Sequence, residues 1–553
     1  MDCFATLAMT LVLGYYDANR LSHILTPEAS IDYTYLCTGR VGSVTNGVDG
    51  IAYGYDGSLL TSDSRSGTLN QVLRYVYNND FVATSFTYAG TTVNYTYDAD
   101  GLLTTAGNFA IGRDAANGLP LTVSGGAYAE SRGFKGYGEP KSQTIQVGGQ
   151  QISDWNLTHD DAGRIVQRNE TVAGTAATRQ YEYDAAGRLL KVFSDGVPTE
   201  EYRYGANNAR TYEMNTGRGI AGRTYAYSVE DHLLSAGSAT YQFDVDGFLA
   251  SKTEGAATTT YTYSSRGDLV RVGLPDGRVV EYVYDPLQRR VAKKIDTVVV
   301  EKYLWQDMTT LLAVYDGSDH LLMRFEYADG RLPVAMTMAG VTYYLAYGPT
   351  GTLRLVTDAA GNVVKRIDTD AFGNVISDSN PALALPFGFA GGLADRDTGL
   401  VHFGYRDYDP EIGRWIAKDP ILFAGGDTDL YGYVQNNPIN FIDPLGLYWF
   451  RQDWQPPGVV GRDRTIVPPQ GNISEVIEQY VPAGYTFGEM HDSFVGMATS
   501  AGLPDWLVNI PSMPSVYNLA VTVELLRSLG ILEQPSLPEQ ATPCEGHGAS
   551  GSW

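Results

Sequence analysis

The sequence predicts an all-β fold made of one hairpin repeated many times, and three observations predict it. Tyr (39) and Gly (62) are abundant in the 553 residues while charged residues make up only 18%, which suits pleated strands and tight turns rather than a helical array. A short unit, Tyr-x-Tyr-Asp-x-x-Gly followed by a return strand, recurs along the chain. Its second aromatic falls at 183, 204, 227, 243, 263, 284, 305, 327 and 347, a period near 20 that leaves room for two short strands and two turns and for no helix.

Each part of the unit has a physical reason. Tyr181-Glu182-Tyr183-Asp184-Ala185-Ala186-Gly187-Arg188-Leu189-Leu190 is the fullest copy, with relatives at Tyr95–Leu103, Tyr241–Leu249 and Tyr261–Leu269. The two rings of Tyr-x-Tyr share a face because strand side chains alternate. Asp opens the turn through a backbone N–H ahead of it, and Gly supplies the positive φ that closes it. Tyr282-Val283-Tyr284-Asp285-Pro286 keeps the first half, and Tyr16-Asp17-Ala18-Asn19 carries Asn in the Gly slot. One hairpin cannot bury its own aromatic face, so neighbours stack into a long antiparallel ribbon, which twists and coils.

The net charge of −24 argues against nucleic acid as the ribbon's partner. Cys3, Cys37 and Cys544 are too few and too scattered for a disulfide scaffold or a zinc site. No stretch approaches the 18 apolar residues of a transmembrane helix. Phe4–Leu13 is apolar, but Asp2 stands where a signal peptide carries positive charge, so residues 1–13 read as a ragged N-terminus.

After residue 347 the motifs become dense: Asp370-Ala371-Phe372-Gly373-Asn374, Phe389-Ala390-Gly391-Gly392-Leu393, His402-Phe403-Gly404-Tyr405-Arg406-Asp407-Tyr408-Asp409-Pro410, Gly413-Arg414-Trp415, Lys418-Asp419-Pro420, and Leu430-Tyr431-Gly432-Tyr433 through Asn436-Asn437-Pro438 to Asp443-Pro444-Leu445-Gly446-Leu447. The repeats resemble the YD repeats of the RHS family, which includes bacterial RHS polymorphic toxins, the C subunit of Tc toxins and the teneurins. The dense segment is similar, almost motif for motif, to the RHS-associated core domain. The resemblance covers residues 14–447.

It implies a ribbon coiled into a hollow RHS/YD-repeat cocoon (14–347), a core domain that plugs the shell and cuts the chain (348–447), and a variable C-terminal segment held inside as candidate cargo (448–553). It implies aspartyl-type autoproteolysis between Leu447 and Tyr448, at the end of the motif Asp443, Pro444, Leu445, Gly446, with Arg406, Asp407 and Asp419 as the catalytic triplet. It implies neither a cofactor nor a metal. It points to a secreted or cell-surface bacterial protein in toxin or effector delivery. The partners the resemblance implies are its own C-terminal segment and a Tc B-like or other protein closing the shell.

Amide hydrolysis needs an activated water and a proton for the leaving nitrogen, which two carboxylates sharing one proton supply. The core segment offers Asp407, Asp409, Asp419, Asp427, Asp429 and Asp443. Asp407 and Asp419, twelve residues apart, suit facing strands of one hairpin, so their carboxylates are expected close together near the Leu447–Tyr448 bond. Arg406 and Asp407 point opposite ways in a regular strand, so joint service requires a bulge or turn there. Asp409 and Asp443 read as turn-shaping residues, and His402 as structural. One turnover within minutes to an hour requires a barrier of only about 21–22 kcal/mol, and the tethered substrate removes the cost of encounter.

In 448–553 the repeat stops and prolines punctuate the chain. Short helices are expected at Ser474–Tyr480 and Ser515–Leu529. Adjacent His491, Asp492 and Ser493 cannot form a triad. The alternative function is cell-surface adhesion or carbohydrate binding without cleavage.

Overall fold

The computed structural model describes residues 12–16 and 20–451. Asn19, His491–Ser493 and both expected C-terminal helices lie outside the described residues. The described residues fall into two units, one ending at Thr45 and one beginning at Asn46. In the first, the strands Val12–Tyr16, Arg20–Leu25, Ser30–Tyr35 and Val41–Thr45 form an antiparallel meander. In the second, every strand from Gly50–Asp56 to Val375–Asp378 pairs antiparallel with the next in sequence. Among the described residues there is no α-helix, and only three 3-10 turns, at Phe389–Gly391, Leu422–Gly425 and Val434–Asn436. The all-β expectation holds.

The hairpin unit is built as its chemistry requires. Tyr181 is buried, Glu182 exposed and Tyr183 half-buried, so the two rings share the packed face. Asp184 Oδ1 accepts the N–H groups of Ala186 (2.9 Å) and Arg188 (3.0 Å), and Gly187 closes the turn at φ +85°. Where Gly is absent, Gln288 takes the left-handed position at φ +65° and still donates its N–H to Asp285 O.

The second tyrosine has a role that the pattern did not reveal. A register shift at Glu182/Tyr183 lets the Tyr183 hydroxyl donate to Ile165 O at 2.5 Å, in the preceding hairpin. Tyr204 to Leu189 O, Tyr227 to Arg210 O, Tyr284 to Leu269 O and Tyr347 to Pro333 O repeat the link at 2.8–3.0 Å. Each unit is thus fastened to its predecessor by a buried polar end on an apolar ring.

The segment after Asp378 runs across successive turns of this ribbon. Asn437 donates to Gly187 O (2.9 Å), Asn436 to Asn208 O (2.8 Å), Arg414 to Asp231 O (3.2 Å) and Tyr431 to Gly247 O (2.7 Å). Turn carbonyls lack a strand partner, and the amide-rich motif supplies their donors. Leu400, Ile412 and Ile416 enter a ribbon cluster with Leu249, Leu269 and Val280. Phe389, Phe403, Tyr408, Trp415 and Tyr433 form a core of the segment's own. This aromatic block, which includes Tyr408, packs around the strand Arg406–Asp409.

Candidate functional site

The strand Arg406–Asp409 pairs with Val401–Phe403 without a bulge: Phe403 stands opposite Arg406 and His402 opposite Asp407. Arg406 and Asp407 therefore take opposite faces. Arg406 lies over Trp415, 4.2 Å from guanidinium carbon to ring centroid. Its Nη2 contacts Asp419 Oδ2 at 2.8 Å and Asp443 Oδ2 at 3.2 Å. Its Nε donates to Gly446 O at 2.5 Å. One buried guanidinium thus holds two carboxyls and the backbone one residue before the expected cut.

Asp443 sits at the foot of a tight loop. Phe441–Ile442 pairs antiparallel with Phe450–Arg451, so the Leu447–Tyr448 bond lies in the connection. Leu447 N–H donates to Asp443 Oδ1 at 3.0 Å, and the N–H groups of Gly446 and Tyr448 also bond to this carboxyl. The carboxyl therefore touches the nitrogen of the bond in question. Gly446 adopts φ +66°, and a Cβ there would stand 2.6 Å from Phe403 O and 3.0 Å from Arg406 N. Only glycine lets the loop approach the Arg406 strand this closely.

Asp419 lies near the Leu447 carbonyl. Its Oδ1 accepts the N–H of Ile421 at 2.9 Å. A Cβ on Gly425 would lie 2.5 Å from Asp419 Oδ2 and 2.7 Å from Leu447 O, so carboxyl and carbonyl oxygens crowd one point that this glycine leaves free. Burial pushes the Asp419 carboxyl up to about 7, opposed by Arg406 and helped by the charge of Asp443. Burial likewise pushes Asp443 up to about 6, against the pull of Arg406 and the loop N–H groups. A small cavity beside them, with room for about one water, is lined by Arg406, Asp419, Asp427, Asp443, Leu447 and Trp449.

Asp407 belongs to a different constellation. Arg290 Nη2 contacts both of its oxygens at 2.9 Å, and His402 Nδ1 stands 3.4 Å from Oδ1. All three are buried. Although burial opposes it, the charges of Arg290 and His402 hold the Asp407 carboxyl below its ordinary value. The carboxyl that shares Arg406 with Asp419 is Asp443, not Asp407. The Asp-Pro-x-Gly-Leu pattern was legible as a loop, and its aspartate was read as a turn former. The signal for a second role was its distance of four residues from the expected cut. Asp409 does shape a turn, accepting the N–H of Glu411 at 2.8 Å.

A successive antiparallel hairpin ribbon with a motif-dense segment laid along its turns defines an RHS/YD-repeat shell protein. The family model described as the teneurin YD-shell matches residues 8–452, and the chain belongs to that family. It is 28% identical to Teneurin-3 of Danio rerio over 469 residues, covering 78% of this chain and 17% of that protein. It is 25% identical to Teneurin-m of Drosophila melanogaster, over 79% of this chain and 17% of that protein. The chain thus spans less than a fifth of the curated relatives it matches. Among solved structures, the TcdB2-TccC3-Cdc42 and TcdB2-TccC3 crystal structures each align with a TM-score of 0.54 over 79% of this chain and 25% of theirs, at 16% and 15% identity. At that identity the likeness is one of fold. No helix among the described residues is long and apolar enough to cross a membrane.

Proposed function

We propose that this chain is a YD-repeat shell that cuts its own backbone once, between Leu447 and Tyr448, and so releases its C-terminal segment as cargo. The observation that carries the reading is the pair Asp419 and Asp443 on one guanidinium, one carboxyl beside the Leu447 carbonyl oxygen and the other bonded to the Tyr448 nitrogen.

Two buried carboxyls that near each other hold one proton between them. Asp419, with the higher pKa, keeps it and faces the carbonyl oxygen. Asp443, as carboxylate, takes a proton from water while the water oxygen bonds to the Leu447 carbonyl carbon and Asp419 protonates the carbonyl oxygen. The tetrahedral carbon then expels the Tyr448 nitrogen, which takes the proton from Asp443. Asp419 recovers its own proton, leaving a carboxyl on Leu447 and an amine on Tyr448. Arg406 keeps the two acids apart in charge and pins Gly446, holding the bond in place. Asp407 serves as a positioning residue: with Arg290 and His402 it anchors the strand that carries Arg406.

Delivery of the released segment as a toxin or effector, with a Tc B-like closing partner, follows the RHS resemblance. The teneurin match favours a second reading, a surface adhesion module that is never cut. Denaturing electrophoresis of the purified chain separates the two. A fragment beginning at Tyr448 supports the first, and an intact, folded chain supports the second.

A further inference from the structure

Two buried polar atoms beside the candidate site have no hydrogen-bond partner, Asp427 Oδ2 and Trp449 Nε1. Both residues line the small cavity that Asp419, Asp443 and Leu447 also line. Asp427 Oδ1 is occupied, accepting the N–H of Asp429 at 3.0 Å. Oδ2 is kept accessible by Gly432, where a Cβ would stand 2.7 Å away. The Trp449 ring is seated on Phe441 with centroids 4.5 Å apart, and a Cβ on Gly426 would lie 3.4 Å from its Nε1. Buried polar atoms are rarely left unpaired, because each costs the desolvation of a group with no bond in return. Here one unpaired acceptor and one unpaired donor belong to residues that line a cavity sized for a single water.

We infer that Asp427 and Trp449 together hold the attacking water of the self-cleavage reaction, so that the segment to be released supplies part of the site that releases it. The inference rests on the proposed autoproteolysis. The water accepts from Trp449 Nε1–H, donates one hydrogen to Asp427 Oδ2 and the other to Asp443, and keeps one lone pair for the Leu447 carbonyl carbon. Its full tetrahedral bonding is thereby assigned. The proton given up passes to Asp443 as before, and Asp427 gains none, so the balance of the reaction is unchanged. Trp449 lies two residues past the cut, on the leaving side. When the segment departs the water loses its donor, and the site is spent after one turnover. Trp449 is thus a specificity-determining residue: a segment without an N–H donor at this position is cut slowly whatever follows it.

The test is a time course of cutting in freshly synthesised full-length chain, read on a denaturing gel. Trp449→Phe keeps the ring on Phe441 and removes only the donor. Asp427→Asn keeps the shape and removes the charge. Each should slow cutting about tenfold, the worth of one charge-assisted or buried hydrogen bond to a reacting atom, with the melting temperature of uncut chain unchanged. Because both act through one water, the double variant should cut no more slowly than the slower single variant by more than about threefold. Wild-type rates in both single variants, with Asp419→Asn remaining whole, overturn the water assignment and leave the proposed autoproteolysis standing. Fully multiplicative effects in the double variant also overturn it. A wild-type chain that folds and never cuts overturns both readings.

Discussion

In the proposed reaction Asp419 and Asp443 act on different atoms of the Leu447–Tyr448 bond, and that difference fixes what their replacement does. Asp443→Asn removes the base at the leaving nitrogen, and Asp419→Asn the acid at the carbonyl oxygen, so either change should leave a full-length chain on a denaturing gel. With Asp419 near 7 and Asp443 near 6, the pair carries its single proton between those values. The cutting rate should therefore peak between about pH 6 and 7, falling below as both protonate and above as both ionise. A rate that climbs steadily through pH 9 contradicts the assignment. Asp407→Asn acts differently. It leaves Arg290 buried without its counter-charge, which costs about 3–5 kcal/mol of stability. Residual cutting in that variant should keep the wild-type pH optimum. An Asp407→Asn chain that melts like the wild type yet never cuts would make Asp407 catalytic. Motif resemblance singled out Arg406, Asp419 and the loop ending at Leu447, which the structure brings together. It could not show that Arg406 and Asp407 divide their work between two faces of a regular strand, because that depends on where Arg290 arrives from the ribbon, 117 residues away.

At the scale of the element, the hairpin was readable down to its turn because Asp, Gly and alternating tyrosines are local chemistry. The hydroxyl link from each second tyrosine to the preceding unit was not, since it needs the register shift that only pairing creates. Tyr183→Phe should cost about 1 kcal/mol, the net value of one such hydrogen bond, measurable by denaturant unfolding. A second buried carboxyl pair couples ribbon to core segment. Glu200 Oε2 accepts Tyr202 Oη–H at 2.6 Å and the N–H of Ala371 at 3.2 Å, while Asp370 Oδ2 accepts from Asn215 and Asn374 at 2.8 Å. Burial pushes Glu200 up to about 7, with Asp370 adding to the rise and Arg179 opposing it. Burial also pushes Asp370 up to about 6, opposed by Arg218 and helped by Glu213. Folded pKa values above the unfolded ones mean that the native state binds these protons more tightly. Their contribution to stability is thus complete below the ordinary carboxylate range and declines as pH rises through 6 to 7. Glu200→Gln keeps an acceptor and removes the charge. It should raise the melting temperature at pH 8 and leave it unchanged or lower at pH 4. A destabilised variant at pH 8 would show that the carboxylate is favourably paired.

For the molecule as a whole, the repeat dictated a ribbon, and a period of about 20 residues was enough to exclude helices. The path of residues 379–447 across successive turns was not readable, because its contacts join arginine, tyrosine and asparagine side chains to backbone carbonyls of turns 183 to 250 positions away in sequence. The same contacts bear on what cutting does. Past the Leu447–Tyr448 bond, Phe450–Arg451 pairs with Phe441–Ile442, and Arg451 donates to Gly163 O at 2.9 Å. A cut chain should therefore run as one species in native size exclusion and as two after denaturation. Dissociation under native conditions would mean that these anchors do not retain the segment. The most direct measurement is the intact mass and N-terminal sequence of the denatured, purified chain and of its Asp419→Asn/Asp443→Asn double variant. The account predicts a wild-type fragment beginning at Tyr448 and a whole double variant. A whole, folded wild type, a fragment beginning elsewhere, or the same fragment from the double variant would contradict it.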